Sequence, residues 1–448
     1  MKRSSFLALT VMLSLVLAAC AAPTPAPTPV AAPPTVGSST HPTAVPPTSK
    51  PAQPVTIVVA IEMGSQTNER QALFEGLFKE YMGKNPNVTI KFEPVVSDYD
   101  QYITKLLVDL KSGTGPDIFT TTGSTLLKFA ETGELLTAPA EVEAYVKKEA
   151  LNEAVLSSVT GRDGKMYGIP WMGDWPALFY NKDMYQKSGI TKVPTTWEEL
   201  LDASKKLTRV DAQGNITTAG FFVRKSGAQL GIFEKWYPFF SAAGGEIFDK
   251  GMTKCTVNSP EGVEALQFYV DLIHVAKVDS FEAAQGDTKG FISGNVAQYI
   301  RESSNITRFQ NEAPSLKFGT ALIPSHKTTG KGIANIDSIV VTKACKNPQA
   351  AWDFLMWLSS PEIATRRDKA LYRQPLFKTV SQDPFYKDNE LIQPFLQQQA
   401  HIFPLHPNAY DMETAIGKYV EMALHKQMSP KEALDEAAKE VDALLKKE

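Results

Sequence analysis

Between residues 55 and 121 the chain alternates strand-like and helix-like segments, and no other feature limits the fold as much. Val55-Thr56-Ile57-Val58-Val59-Ala60-Ile61 is a run dominated by β-branched residues, the pattern of a strand buried on both faces. Leu73, Phe74, Leu77, Phe78 and Tyr81 then recur at helical spacing until Pro86 closes the segment. Residues 88–96 alternate as a second strand, 102–110 read as a second helix, and 117–121 as a third strand after the turn Gly113-Thr114-Gly115-Pro116. The βαβαβ order requires crossover connections and so predicts a parallel sheet with helices on both faces. Such a sheet binds ligands beyond the carboxyl ends of its strands, here the loops 62–68 and 121–124.

Helix starts further on are marked by a capping residue before proline: Ser259-Pro260, Asn347-Pro348, Ser360-Pro361 and Ser429-Pro430, the last with Glu432 completing a capping box. Thr195 and Glu198 suggest a second box. Ala433, Leu434, Ala437, Val441, Leu444 and Leu445 share one face of a final helix that packs on the body. Gly161-Arg162-Asp163-Gly164-Lys165 reads as a hairpin turn rather than a phosphate loop.

The N-terminus has a different character. Lys2 and Arg3 precede an apolar run from Phe6 to Ala19, 14 residues long, too short for the roughly 20 that span a bilayer. Small Ala18 and Ala19 lead into Cys20, and Leu17-Ala18-Ala19-Cys20 resembles a bacterial lipobox, which makes 1–19 a signal peptide and Cys20 the site of lipid attachment. Residues 20–54 hold eleven prolines amid Thr, Ala, Ser and Val, a composition that cannot bury a core and suits an extended tether. The remaining chain is long enough for two domains. The whole chain's formal net charge of −3 argues against nucleic acid or an anionic membrane surface as main partner. Cys255 and Cys345 are too few for a disulfide scaffold.

No enzyme motif emerges. The six histidines form no H-E-x-x-H and no other zinc spacing, and neither a P-loop nor a G-x-S-x-G elbow is present, so no metal or cofactor is implied. Aromatic residues cluster instead. Trp171, Trp175, Trp197 and Trp236 fall within one 66-residue stretch together with Tyr180, and Tyr237, Phe239 and Phe240 follow at once. An aromatic face matches the C–H face of a pyranose, while nearby carboxylates and amides reach its hydroxyls. Trp171 and Trp175, flanked by Pro170, Gly173 and Pro176, read as loop residues facing a ligand, with Asp174 between them. Trp197, Trp352 and Trp357 read as core.

Several stretches together resemble the extracellular solute-binding proteins of ABC importers, in the carbohydrate-binding branch typified by the maltose-binding protein. They are Gly115-Pro116-Asp117-Ile118-Phe119, Asp163-Gly164-Lys165-Met166-Tyr167-Gly168-Ile169-Pro170, Leu178-Phe179-Tyr180-Asn181-Lys182-Asp183, Pro194-Thr195-Thr196-Trp197-Glu198-Glu199, Asn258-Ser259-Pro260-Glu261-Gly262 and Lys346-Asn347-Pro348-Gln349-Ala350-Ala351-Trp352. The resemblance implies an α/β, periplasmic-binding-protein type II fold: two lobes, 55–175 with 314–362 and 176–313 with 363–448, joined by crossings near 173–177, 311–315 and 360–366. It implies a monomeric lipoprotein outside the cytoplasmic membrane that closes on a sugar or oligosaccharide and hands it to an ABC permease. Cys255 and Cys345 would lie in different lobes, where a bridge would lock the hinge, so free thiols are expected.

Carried onto this chain, the resemblance implies a hinge carboxylate at Asp174, first-lobe positions near the ligand at Ser124 and Phe129, a stacking ring at Trp236 or Tyr237, and another at Tyr410; Glu62 is a candidate through its place in the strand-end loop 62–68 and as a carboxylate that could help cage a polyamine. The chain departs from the family at Ile300-Arg301-Glu302-Ser303-Ser304 and Ala334-Asn335-Ile336-Asp337-Ser338, where a ring and a glycine-rich turn are common. Arg301, Glu302, Asn335 and Asp337 there either reach a ligand or pair among themselves. Glycerol phosphate or polyamine binding on the same fold, a surface glycoside hydrolase, and a passive adhesion lipoprotein are the rival readings.

Overall fold

The computed structural model describes residues 53–64, 67–96, 99–282 and 286–447. The expected signal segment, Cys20 and all but the last two residues of the tether lie outside the described residues. The body is a two-lobed α/β fold with mixed sheets flanked by helices.

In the first sheet Val55–Glu62 pairs in parallel with Val88–Val95 and Ile118–Thr122, and the helices Thr67–Lys84 and Tyr99–Ser112 form the crossovers, so the expected βαβαβ unit is present. Asn335–Val341 joins antiparallel beside Ile118–Thr122, and Gly168–Asp174 closes the edge. The β-branched first strand serves both faces. Ile57, Val59 and Ile61 pack with Phe74, Leu77 and Phe78, while Ala60 lies with Tyr102, Leu106 and Phe119 on the other side.

The second sheet is antiparallel, with Pro176–Asn181 between Gln298–Glu302 and Phe318–Ala321. Phe179 at its centre touches Phe291, Tyr299, Phe309, Phe318 and Phe395. A separate core is built by Gln229–Ala242, Pro260–His274, Ala409–Leu424 and Pro430–Leu445. Leu434 and Val441 of the final helix are fully buried, each contributing roughly 1.5–3 kcal/mol.

The Ser429 box forms as expected, whereas the other helix is capped one residue later and without the reciprocal bond of a box. Thr196 is the N-cap and accepts from the Glu199 N–H at 3.2 Å, while Glu199 reaches back to the Thr195 N–H at 2.7 Å. Gly161-Lys165 does make a turn, closed by Gly161 N–H to Lys165 O at 2.8 Å.

Gly168–Asp174 of the first sheet is followed across Trp175 by Pro176–Asn181 of the second. The second expected crossing, 311–315, is corrected to Ala334. Phe318–Ala321 hydrogen-bonds along the open edge of Pro176–Asn181 and so belongs to the second sheet. The third, 360–366, is corrected as well. Those residues open the helix Pro361–Ala370, whose Ile363 and Ala364 enter the first core, and the chain stays on that core through Phe377 and Val380. The Leu391 carbonyl, accepting from the Thr320 hydroxyl at 2.9 Å, and then the helix Gln393–Gln397 lie against the second sheet. Cys255 and Cys345 are buried and unbridged, in different cores. Among the described residues no helix is long and apolar enough to cross a membrane.

Candidate functional site

A cavity of about 320 Å³ opens beyond the carboxyl ends of Val55–Glu62 and Ile118–Thr122, the position the βαβαβ order predicts. Glu62, Gly64 and Thr120 to Thr122 form one wall, which Arg70 joins to the floor. Gly231, Glu234, Arg301 and Glu302 face them from the second lobe. Asp174, Asn335, Asp337 and Arg373 make the floor where the strands cross, and Tyr99, Asp100 and Tyr410 stand at one side.

Asp174 ends its strand and is held by Arg373 in an ion pair, with the Ser303 hydroxyl 3.1 Å from its Oδ1. Burial pushes the Asp174 carboxyl up, against the pull of Arg373. Arg373 follows Tyr372, which is held at φ +50°, a left-handed backbone that a non-glycine residue adopts at a cost. Asp337 sits at a bulge in the pairing of Asn335–Val341 with Gly168–Asp174, an irregularity that re-aims a side chain. No hydrogen bond or ion pair reaches its carboxylate among the described residues, and burial raises its pKa to about 6 against the attraction of Arg373 and Arg70.

The far wall is an ion network. Lys235 pairs with Glu302 and, at 3.0 Å, with Glu234. Arg301 lies 3.4 Å from Glu302 and 3.3 Å from Asp287, which Arg224 also holds at 2.9 Å. Burial opposes ionisation of Glu302, yet Lys235 and Arg301 hold its carboxyl below the usual range. The Asn335 amide donates to Glu234 at 2.9 Å. Pairs buried this way stay charged and fix one another's geometry, so their remaining lone pairs and N–H groups are pre-aimed at the cavity.

Of the residues expected to bind ligand, Glu62, Asp174, Arg301, Glu302, Asn335, Asp337 and Tyr410 line this cavity. The tryptophans do not. Trp171 is 0% exposed, packed on Phe74 at 5.7 Å and under the Arg367 guanidinium at 4.2 Å. Its glycine and proline neighbours mark close backbone approach rather than a loop. A Cβ on Gly173 would meet Leu376 at 2.7 Å, and one on Gly168 would meet the Ile339 carbonyl at 2.6 Å. The Trp175 indole N–H donates to the Phe395 carbonyl at 2.7 Å. Trp236 stacks on Phe240 at 5.0 Å, and Tyr237 packs on Phe233 and His401. Both are 0% exposed because Gln229–Ala242 is sheathed on all sides from Ile232 onward. That helix serves the cavity through its first two turns, at Leu230, Gly231 and Glu234. Ser124 lines a neighbouring void of about 20 Å³ with Glu413, and Phe129 is core.

Arg70, Tyr99, Asp100, Glu234 and Arg373 were not legible as site residues. Each is a single polar residue on a helix or bend with no motif around it. The one available signal was the position of Arg70 in the helix that follows the Glu62 strand end.

A two-lobed α/β body with a charged cleft at its strand ends defines a receptor for a small polar solute. The chain belongs to the bacterial extracellular solute-binding protein family, whose description matches residues 64–365, and within it to the ABC-transporter proteins resembling the maltose-binding protein that the sequence motifs suggest. It is 26% identical over 382 residues to a putative binding protein of Brucella abortus, covering 84% of this chain and 90% of that one. It is 25% identical over 378 residues to the galactooligosaccharide-binding protein of Bacillus subtilis, covering 80% and 83%. A Thermotoga lettingae ABC transporter solute-binding protein, solved with α-D-tagatose, superposes with a TM-score of 0.76 at 25% identity, covering 87% of this chain and 99% of that one. The family is extracytoplasmic and made of binding proteins, not hydrolases.

Proposed function

We propose that this protein captures a sugar in the cleft between its lobes and delivers it unaltered to the membrane subunits of an ABC importer. One observation carries the reading: charged and amide side chains from both lobes converge on one cavity at the strand ends, already ordered by pairing with each other. Hydroxyls are both donors and acceptors, and they complete such a ring of half-used polar groups without bringing in a net charge. The names of the Bacillus subtilis relative and the tagatose-bound structure point the same way.

The lobes divide, on this reading, at Trp175, near Ala334 and between 388 and 393; the strand pairings on either side support that division. The lipobox-like Leu17-Ala18-Ala19-Cys20 and the proline-rich stretch after it support a lipid anchor at Cys20 and a tether that lets the body reach its permease. Palmitate incorporation that vanishes in Cys20→Ala would bear this out.

The test of function is the melting temperature against D-tagatose, maltose and a galacto-oligosaccharide. Ligand at 100 times its Kd adds about 2.7 kcal/mol of stability, so a saturable rise with one sugar, recovered chemically intact, is expected. No rise with any of them, or recovery of cleaved sugar, would overturn the proposal.

A further inference from the structure

Three charged groups converge on the cavity floor without touching one another. Asp337 lines the cavity together with Arg70 and Arg373 and feels both, yet forms an ion pair with neither. Arg70 is 6% exposed, its nearest partner Glu62 is 3.9 Å away, and its Nε–H has no acceptor. Burial, then Arg373, lowers its pKa to about 10. A buried guanidinium held by one long ion pair, in the same cavity as a carboxylate that no side chain pairs, leaves polar groups that a bound molecule can complete.

The filler has definite properties. It must accept from two guanidinium forks and donate to one carboxylate, which vicinal hydroxyls do and a carboxylate or phosphate does not. An anion would also face Glu62, Asp174, Glu234 and Glu302 around the same space. A small filler suits the cavity, whose volume of about 320 Å³ sits at the low end of the roughly 300–1,000 Å³ of small-molecule sites. It has no row of rings to lie along. Trp171, Trp175, Trp236 and Tyr237 do not line the cavity, and the two rings that do, Tyr99 and Tyr410, pack on each other at 5.7 Å on one side.

We infer that the ligand is a monosaccharide, one hydroxyl-dense ring whose adjacent hydroxyls donate to Asp337 and accept from Arg70 and Arg373, and not an oligosaccharide stacked along a groove. This rests on the sugar-binding reading and narrows it. Tyr410 covers the apolar face of the ring, while Arg301, Glu302 and Glu234 bound its far edge.

The experiment is titration calorimetry of the purified full-length chain with D-tagatose, D-galactose, D-glucose, maltotriose and glucose 6-phosphate, repeated on Asp337→Asn and Arg70→Lys. Binding of one free hexose is expected, with maltotriose no tighter and the phosphate weaker. Hydrogen bonds to charged groups predict a loss of roughly tenfold to a hundredfold in either variant. The melting point of each ligand-free variant reports folding, and Arg70→Lys, which keeps the charge and loses the fork, decides the matter if Asp337→Asn does not fold. Maltotriose binding tenfold or more tighter than any hexose would overturn the monosaccharide inference and leave the sugar receptor standing. Tighter binding of the phosphate, or unchanged hexose affinity in both variants, would overturn the triad. Silence from every sugar would remove the sugar reading itself.

Discussion

The Tyr410 hydroxyl, in the first turn of Ala409–Leu424, donates to the Asp100 carboxylate in the first turn of Tyr99–Ser112, so a helix of the second core is tied to one of the first beside the cavity. Lys128 and Asp411 make a second link at 3.2 Å close by. Both links are made only when the two lobes approach, so they favour the enclosed form over an open one. Asp100→Asn removes the charge from the first link, worth about 1.5 kcal/mol or near tenfold. Sugar affinity in calorimetry should fall by that factor, and small-angle scattering of the ligand-free variant should show a larger radius. Unchanged values on both counts would mean that the contact does not govern closure.

Asp337 supplies a pH dependence. Arg373, Arg70, Glu62 and Asp174 surround it, and with burial the dominant influence its pKa stands near 6 in this structure. The ionised form is the stronger acceptor, by about 1 kcal/mol. Sugar affinity should therefore rise about three- to fourfold from pH 5 to pH 7, and Asp337→Asn should flatten the profile. A flat wild-type profile would place the accepting group elsewhere.

Glu413 behaves differently because it is sealed away from the cavity. Its Oε2 has no partner, and burial followed by Glu234 pushes its carboxyl well above the ordinary range. The folded protein keeps a proton that the unfolded chain releases above about pH 4.3, so this group makes stability fall as pH rises from there toward its folded pKa. Glu413→Gln should remove up to about 1.4 kcal/mol per pH unit of that fall, read from urea unfolding at pH 5, 6.5 and 8. Parallel pH profiles for wild type and variant would contradict the assignment.

Trp171 is assigned to packing, and its removal separates that from a ligand role. Trp171→Ala should cost about 3–5 kcal/mol of stability and change the sugar affinity of the remaining folded protein less than threefold. A large affinity loss with stability intact would return the ring to the site.

What the sequence disclosed divides along a physical line. The parallel sheet, the proline-marked helix starts and the position of the cleft were legible because each follows from local periodicity or capping chemistry. The charged residues at 301–302 and 335–337 stood out because they replace a ring and a glycine-rich turn, and all four line the cavity. The tryptophans misled because glycine and proline around Trp171 serve close strand packing as readily as a loop. Nothing local distinguishes an aromatic helix face turned to core from one turned to ligand at Trp236. Arg70 and Arg373 were missed because only the tertiary fold brings the helix start and the bend after Pro361–Ala370 to one floor.

The decisive measurement is a crystal structure grown with the sugar that raises the melting temperature most. One intact ring between the lobes, with adjacent hydroxyls within hydrogen-bonding distance of Asp337 and of Arg70 or Arg373 and its face toward Tyr410, is the expected result. A sugar bound outside this cavity, or inside it with Asp337 untouched, would contradict the assignment of the cleft.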